Sequence, residues 1–167
     1  LSGAMMSLEE PELRTEDLGF FTQKGNFSPL KPEGYMTSLH DIVESEVFQT
    51  PSDLYGDTIQ QYAGWWFCVI PVTAIEAYGL PLPLFVRSDD AEYALRCKPK
   101  FMTMNGICVW HNAFKFKYSA AVERYQVSRN TLISQATTGI APITDFLKEI
   151  RREVELDLKK YNYDDAM

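Results

Sequence analysis

Apolar residues along the chain fall into short blocks separated by Pro, Gly and acidic clusters, and the blocks alternate between lengths that suit strands and lengths that suit helices. Ser2-Gly3-Ala4-Met5-Met6 opens the chain as an apolar, strand-like run. From Ser7 to Pro32 the pattern breaks up, with Glu9, Glu10, Glu12, Glu16 and Asp17 followed by Gly25, Asn26, Ser28 and Pro29, and predicts mostly loop. Phe20, Phe21 and Phe27 would pack that loop onto a core, as a loop over a cleft does. Leu39, Ile42, Val43 and Val47 then recur at helical spacing behind Thr37 or Ser38 as cap, and Thr50-Pro51-Ser52-Asp53 stops the helix. Gln61 to Ile70 is too continuously apolar for a half-exposed strand and predicts one buried on both faces. Pro71 starts a short helix carrying Ile75 and Glu76, which Gly79-Leu80-Pro81 ends.

The second half repeats the alternation. Leu82, Leu84, Phe85 and Val86 predict a short buried strand, after which Asp89 caps a helix that Asp90 opens and Pro99 stops after Cys97. Phe101 to Asn105 and Ile107 to Trp110 predict strand runs around Gly106, finishing on His111. Tyr118, Ala121, Val122, Tyr125, Leu132 and Ile133 share one face of an amphipathic helix to about Thr137, terminated by Gly139. Pro142 opens a last helix with Ile143, Phe146, Leu147, Ile150, Val154 and Leu158 turned inward, and Asn162 to Met167 is a fraying tail. Strands alternating with helices give an α/β fold, a mixed sheet flanked by helices with a C-terminal helical pair. Residues 1–137 form the main unit and residues 138–167 the terminal helix and tail.

Composition narrows the classes. With 167 residues, 46% of them hydrophobic, the chain can bury one core. A net charge of −7, with the basic residues scattered, argues against a nucleic-acid surface. The longest apolar stretch, Trp65 to Val72, is interrupted by Pro71 and falls well short of the ~20 residues that span a bilayer. Cys68, Cys97 and Cys108 are odd in number and lack C-x-x-C spacing, which fits free thiols in a reducing cytoplasm. The apolar first residues, without an initiator Met ahead of them, give the start a truncated look. A few foreign residues ahead of a true start at Met5 or Met6 are the other explanation.

Four features carry candidate chemistry. Asp89 and Asp90 sit where an apolar strand meets a helix, so their mutual repulsion must be met by cations, amide donors or a raised pKa; a capped, acidic first turn explains them too. In Gly64-Trp65-Trp66, one indole can enter the core while the other lines a cleft for a sugar ring, or both can be core. His111 at a strand end is either a metal ligand or a hydrogen-bonded structural residue. Arg129-Asn130 either hold phosphate oxygens or pair locally, and His40 lies on a solvated helix face.

Taken together and in order, Ser2-Gly3-Ala4-Met5-Met6, Tyr62-Ala63-Gly64-Trp65-Trp66-Phe67, Gly79-Leu80-Pro81-Leu82-Pro83 to Arg96, Asn105 to His111 and Arg129-Asn130 resemble inverting family 2 glycosyltransferases of the GT-A fold, most closely the galactofuranosyltransferase-like branch. The resemblance covers roughly residues 1–133. It implies the C-terminal, acceptor-side part of a Rossmann-like GT-A domain, with Asp90 as the general base, Asp89 beside it, Trp65, Trp66 and Arg129 at the substrates, and His111 on a divalent cation (Mg2+ or Mn2+). The implied partners are a UDP- or dTDP-sugar donor and a glycan acceptor, in the cytoplasm up to the inner face of the membrane. The family's Asp-x-Asp motif, which holds the cation and the donor diphosphate, occurs nowhere in this chain. The resemblance therefore implies a missing N-terminal half, an isolated chain that is inactive, and exposed sheet edge that favours self-association. A non-catalytic carbohydrate-binding or scaffold domain is the alternative. A metal-dependent hydrolase built on Asp89, Asp90 and His111 is a poorer one.

Overall fold

The computed structural model describes residues 1–22, 27–47, 59–112, 119, 121–139 and 146–166. The predicted stop at Thr50-Pro51-Ser52-Asp53, the acid Asp57, Tyr118 and the Pro142–Ile143 helix start lie outside the described residues. The described residues fold as mixed α/β, with two small sheets and flanking helices.

The apolar opening run is strand β1 (Ser2–Ser7), buried along almost its whole length. It lies antiparallel to β2 (Leu13–Glu16), with Met6 opposite Arg14. Its other edge runs parallel to a long strand that comes much later, Thr103–His111. Within the stretch read as loop, β2 is followed by β3 (Gly19–Thr22), β4 (Phe27–Pro29) and β5 (Gly34–Tyr35). Each is too short to show a period, which is why this region reads as loop in sequence. Helix α1 (Leu39–Val47) and strand β6 (Ile59–Tyr62) follow. Naming the Thr103–His111 strand β7, the first sheet runs β5-β2-β1-β7 and the second, antiparallel, β4-β3-β6.

Two polar ties dock this part together. Arg14 is almost fully buried, and its guanidinium donates to Ser45 Oγ of α1 and to the Pro32 carbonyl at 2.8 Å. Lys31 pairs with buried Asp17 at 2.8 Å.

The predicted strand over Gln61–Ile70 stops at Tyr62, because Gly64 lets the chain fold back on itself with the Trp66 ring packed over it. Residues 66–68 instead cross the start of β1. Gly3 N–H donates to Phe67 O at 3.0 Å and Trp66 Nε1 donates to Gly3 O at 2.8 Å. A Cβ on Gly3 would lie 2.7 Å from the Phe67 ring, so glycine is needed for that crossing.

Helix α2 (Val72–Tyr78) ends at Gly79. The predicted strand over Leu82–Val86 does not form, since Pro81 and Pro83 cannot donate to a ladder. The segment makes tight three-residue turns, with Leu84 N–H to Leu82 O at 2.8 Å and Val86 N–H to Leu84 O at 2.9 Å. It leads into α3 (Asp89–Cys97), the most buried helix among the described residues, with Ala91, Glu92, Tyr93, Ala94, Leu95 and Cys97 all inside. Ser88, not Asp89, is its N-cap residue. Glu92 is fully buried and ionically held by Arg96 at 2.9 Å, with the Thr137 hydroxyl donating at 3.2 Å.

The predicted long helix after residue 118 begins as a π-helical turn, Ala121–Gln126, before becoming α4 (Val127–Thr138). Gly139, at φ 66°, terminates it. Helix α5 (Phe146–Lys159) is clamped back by Arg124, which reaches Glu153 at 2.7 Å and buried Asp157 at 2.9 Å. The tail folds as a short helix, α6 (Tyr163–Ala166). No helix among the described residues is long and apolar enough to cross a membrane.

Candidate functional site

A cavity of about 390 Å³ opens between α2, α3 and the turn after β6. Trp65, Tyr78, Asp90, Tyr93, Cys97 and Phe101 are among its walls. The sequence places Asp90 there by a sharp local route. The chain must leave two proline-interrupted turns and enter α3 within a few residues, and it does so with Phe85, Arg87 and Ser88 all at positive φ (65°, 66° and 64°). Tyr93 and Arg96, one and two turns into α3, secure the opposite wall. Tyr93 Oη donates to Gly79 O at 3.0 Å, Arg96 donates to Leu80 O at 3.2 Å, and the guanidinium lies 4.9 Å over the Tyr93 ring.

The two adjacent tryptophans part company. Trp65 lines the cavity with its ring edge-on to Tyr93, centroids 6.0 Å apart. Trp66 is turned onto β1 and its N–H is used there, so it does not line the cavity.

Among the described residues, Asp90 is the only carboxylate in the cavity's walls. Its Oδ1 accepts from Ala91 N–H at 2.7 Å. Burial raises its pKa from the ordinary 3.8 to about 6, the Asp89 charge adds to the rise, and backbone donors from Ala91 and Trp65 oppose it. Glu16, at the end of β2, is pushed to about 7 by burial and then by Asp90 and Asp17. Tyr62 is driven upward by burial and by the same two carboxylates, Glu16 and Asp90. The Asp90 charge is thus felt at both Glu16 and Tyr62. A carboxyl group lifted toward neutrality by burial in an aromatic wall suits proton transfer to or from a hydroxyl near neutral pH.

The other candidates lie elsewhere. Asp89 is the first residue of α3, half-buried and outside the cavity. Arg129 is exposed and donates to Asn130 Oδ1 at 2.7 Å. His111 ends β7 opposite Ser7, whereas the cavity is bounded by Leu1 and Phe101 at the other end of the β1–β7 pair, roughly 20 Å away at ~3.3 Å per residue. Its Nδ1 donates to Asn112 O at 2.6 Å. Among the described residues no three His, Cys, Asp or Glu side chains converge as a metal site.

Glu16 and Tyr93 escape sequence reasoning. Glu16 is one acid among several in a stretch without period, and nothing in the sequence singles out Tyr93 within its helix. Asp90 lying beside Glu16 depends on β2 pairing with β1, which no local pattern announces.

No protein-family model matches the chain. Among curated proteins, galactofuranosyltransferase GlfT2 of Mycobacterium tuberculosis is 35% identical over 102 residues, 59% of this chain and 16% of the relative. GlfT2 of Mycolicibacterium smegmatis is 29% identical over 155 residues, 88% of this chain and 24% of the relative. These similarities support a glycosyltransferase relationship. It spans less than a quarter of the length of these relatives. The mixed sheet with flanking helices is compatible with a fragment of a Rossmann-like glycosyltransferase domain.

Proposed function

We propose that this chain is the acceptor-side part of an inverting glycosyltransferase of family 2 with a GT-A domain, and that Asp90 is its general base. The observation that carries the reading is the Asp90 carboxylate in the wall of an aromatic cavity, with its pKa lifted to about 6. The similarity to GlfT2 supplies the reaction class. Asp90 takes the proton from an acceptor hydroxyl as that oxygen bonds to the anomeric carbon of a nucleotide sugar. The bond from that carbon to the diphosphate breaks, the diphosphate leaves with the electron pair, and the anomeric centre inverts. Trp65 offers an indole edge and face to the acceptor sugar ring, as apolar sugar faces require.

The donor is a UDP- or dTDP-sugar, galactofuranose or rhamnose, and the acceptor a cell-envelope glycan met in the cytoplasm at the inner membrane face. A divalent cation belongs to the same reading, with His111 as a ligand. The described residues gather no set of ligating side chains there, and a hard cation needs several oxygens, so no step is assigned to a metal. Arg129, Asp89 and Trp66 act at one remove from the cavity.

The test is the full-length protein with a nucleotide sugar and a glycan acceptor, with this chain alone as an inactive control. Asp90→Asn should lower kcat by about 100-fold or more, on the order of what general-base removal costs, and leave donor binding unchanged. The wild-type rate should rise through about pH 6 as Asp90 loses its proton. Turnover surviving in Asp90→Asn would end the general-base assignment.

A further inference from the structure

Asn130 is completely buried in α4, more than thirty residues beyond the acidic corner. Its side-chain Nδ2 meets three backbone carbonyls, Val86 O at 2.7 Å, Arg87 O at 2.8 Å and Leu84 O at 3.2 Å. Its Oδ1 accepts from Arg129 Nη1 at 2.7 Å. Three acceptors on one side and a cationic donor on the other leave a single amide orientation, because the flipped group would press its oxygen against three carbonyl oxygens. Two N–H bonds serve three acceptors, so the long contact to Leu84 is shared. The carbonyls gathered this way frame the residues at positive φ, Phe85, Arg87 and Ser88. Such backbone persists only where its surroundings over-determine it. Among the described residues, the local bonds within 82–88 are two three-residue turns, which do not fix the direction in which the carbonyls point.

We propose that Asn130 is the positioning residue of the acidic corner: by collecting the carbonyls of Leu84, Val86 and Arg87 it fixes the left-handed entry into α3 and so holds the Asp90 carboxylate in the cavity wall. The chemical purpose rests on the general-base reading above, while the structural hold stands independently of it. Asn130 contacts the loop and not the reacting atoms, so it acts through Asp90. Releasing the loop lets α3 fray at its first turn and water reach Asp90, whose proton affinity is raised chiefly by burial. The titratable groups that interact with Asp90, namely Asp89, Glu16, Tyr62 and Cys68, remain in place in such a variant.

The experiment is carboxyl-carbon NMR of Asp90 across pH in the wild type, Asn130→Ala and the uncharged, similarly sized Asn130→Leu, with far-UV circular dichroism at each point. In both variants the Asp90 midpoint should fall by about one pH unit or more from about 6, with helix content kept. Asp41, which lies outside the cavity and is held low by the Tyr35 N–H and Ser38 hydroxyl, should not move. An unmoved Asp90 midpoint in a folded variant overturns the proposal. Should both variants unfold, hydrogen exchange in the wild type decides. The Asn130 side-chain amide protons should exchange about 100-fold more slowly than those of exposed Asn105 or Asn162, and equal rates overturn it. Turnover surviving in Asp90→Asn would remove the catalytic purpose yet leave the midpoint result standing; an unmoved midpoint would remove Asn130 and leave the base reading intact.

Discussion

Replacing Asp90 by Asn should make the protein more stable, by an amount that grows from pH 3.8 and is complete above about pH 6. Folding lifts the Asp90 pKa from 3.8 to about 6, so the native state holds that proton more tightly than the unfolded chain does. Below pH 3.8 both states are protonated and the group contributes no difference. Between 3.8 and 6 the native state binds more protons, so stability declines as pH rises, and above 6 the whole loss is in force. At about 1.4 kcal/mol per pH unit the rise corresponds to roughly 3 kcal/mol. An asparagine of nearly the same shape never ionises and escapes that loss. The rise already includes the opposing Ala91 N–H bond to the carboxylate, so nothing further is subtracted. The expected gain is therefore about 3 kcal/mol at pH 8 and close to zero at pH 4. Urea denaturation followed by circular dichroism at both pH values measures it directly. A variant less stable than wild type at pH 8, or equally altered at both pH values, would refute the picture of a buried, costly charge.

Glu16→Gln should behave the same way over a higher window, stabilising above about pH 7 and not below 4.5. Because the Asp90 charge raises Glu16, the two substitutions should sum to less than their separate gains in a double-mutant cycle, and full additivity would show them uncoupled. Gly19→Ala should destabilise by ~1–3 kcal/mol in the same denaturation assay, since its Cβ would lie 2.5 Å from Tyr62 Oη on the neighbouring strand. A neutral Gly19→Ala would mean that the β3–β6 pairing is looser than this contact allows.

Much of the helical framework was legible in the chain. Periodicity and stop residues located α1, α2, α3 and the end of α4 at Gly139, and β1 and β7 announced themselves as apolar runs. The misses share a cause. Strands β2, β3 and β4 have at most four residues each, and Leu82–Val86 carried strand-like side chains on a backbone that its prolines forbid to pair. The π-helical turn before α4 keeps the apolar spacing of a helix while changing its hydrogen bonds, and spacing alone cannot separate the two. At the site, the sequence singled out Asp90 and Trp65 because their neighbours are unusual. It could not show that Trp66 faces β1, that Glu16 shares the field of Asp90, or that Asn130 reaches back across the fold. Each of those depends on which distant segments meet.

The left-handed corner also dictates an order of assembly. Non-glycine residues at positive φ cost roughly 1 kcal/mol each, and Phe85, Arg87 and Ser88 carry that cost within four positions. The side chain that gathers their carbonyls is not made until residue 130. During synthesis, the stretch containing Asp89 and Asp90 therefore emerges before anything that can set its shape. Helix α3 can form before α4, but the corner is complete only once residue 130 is in place.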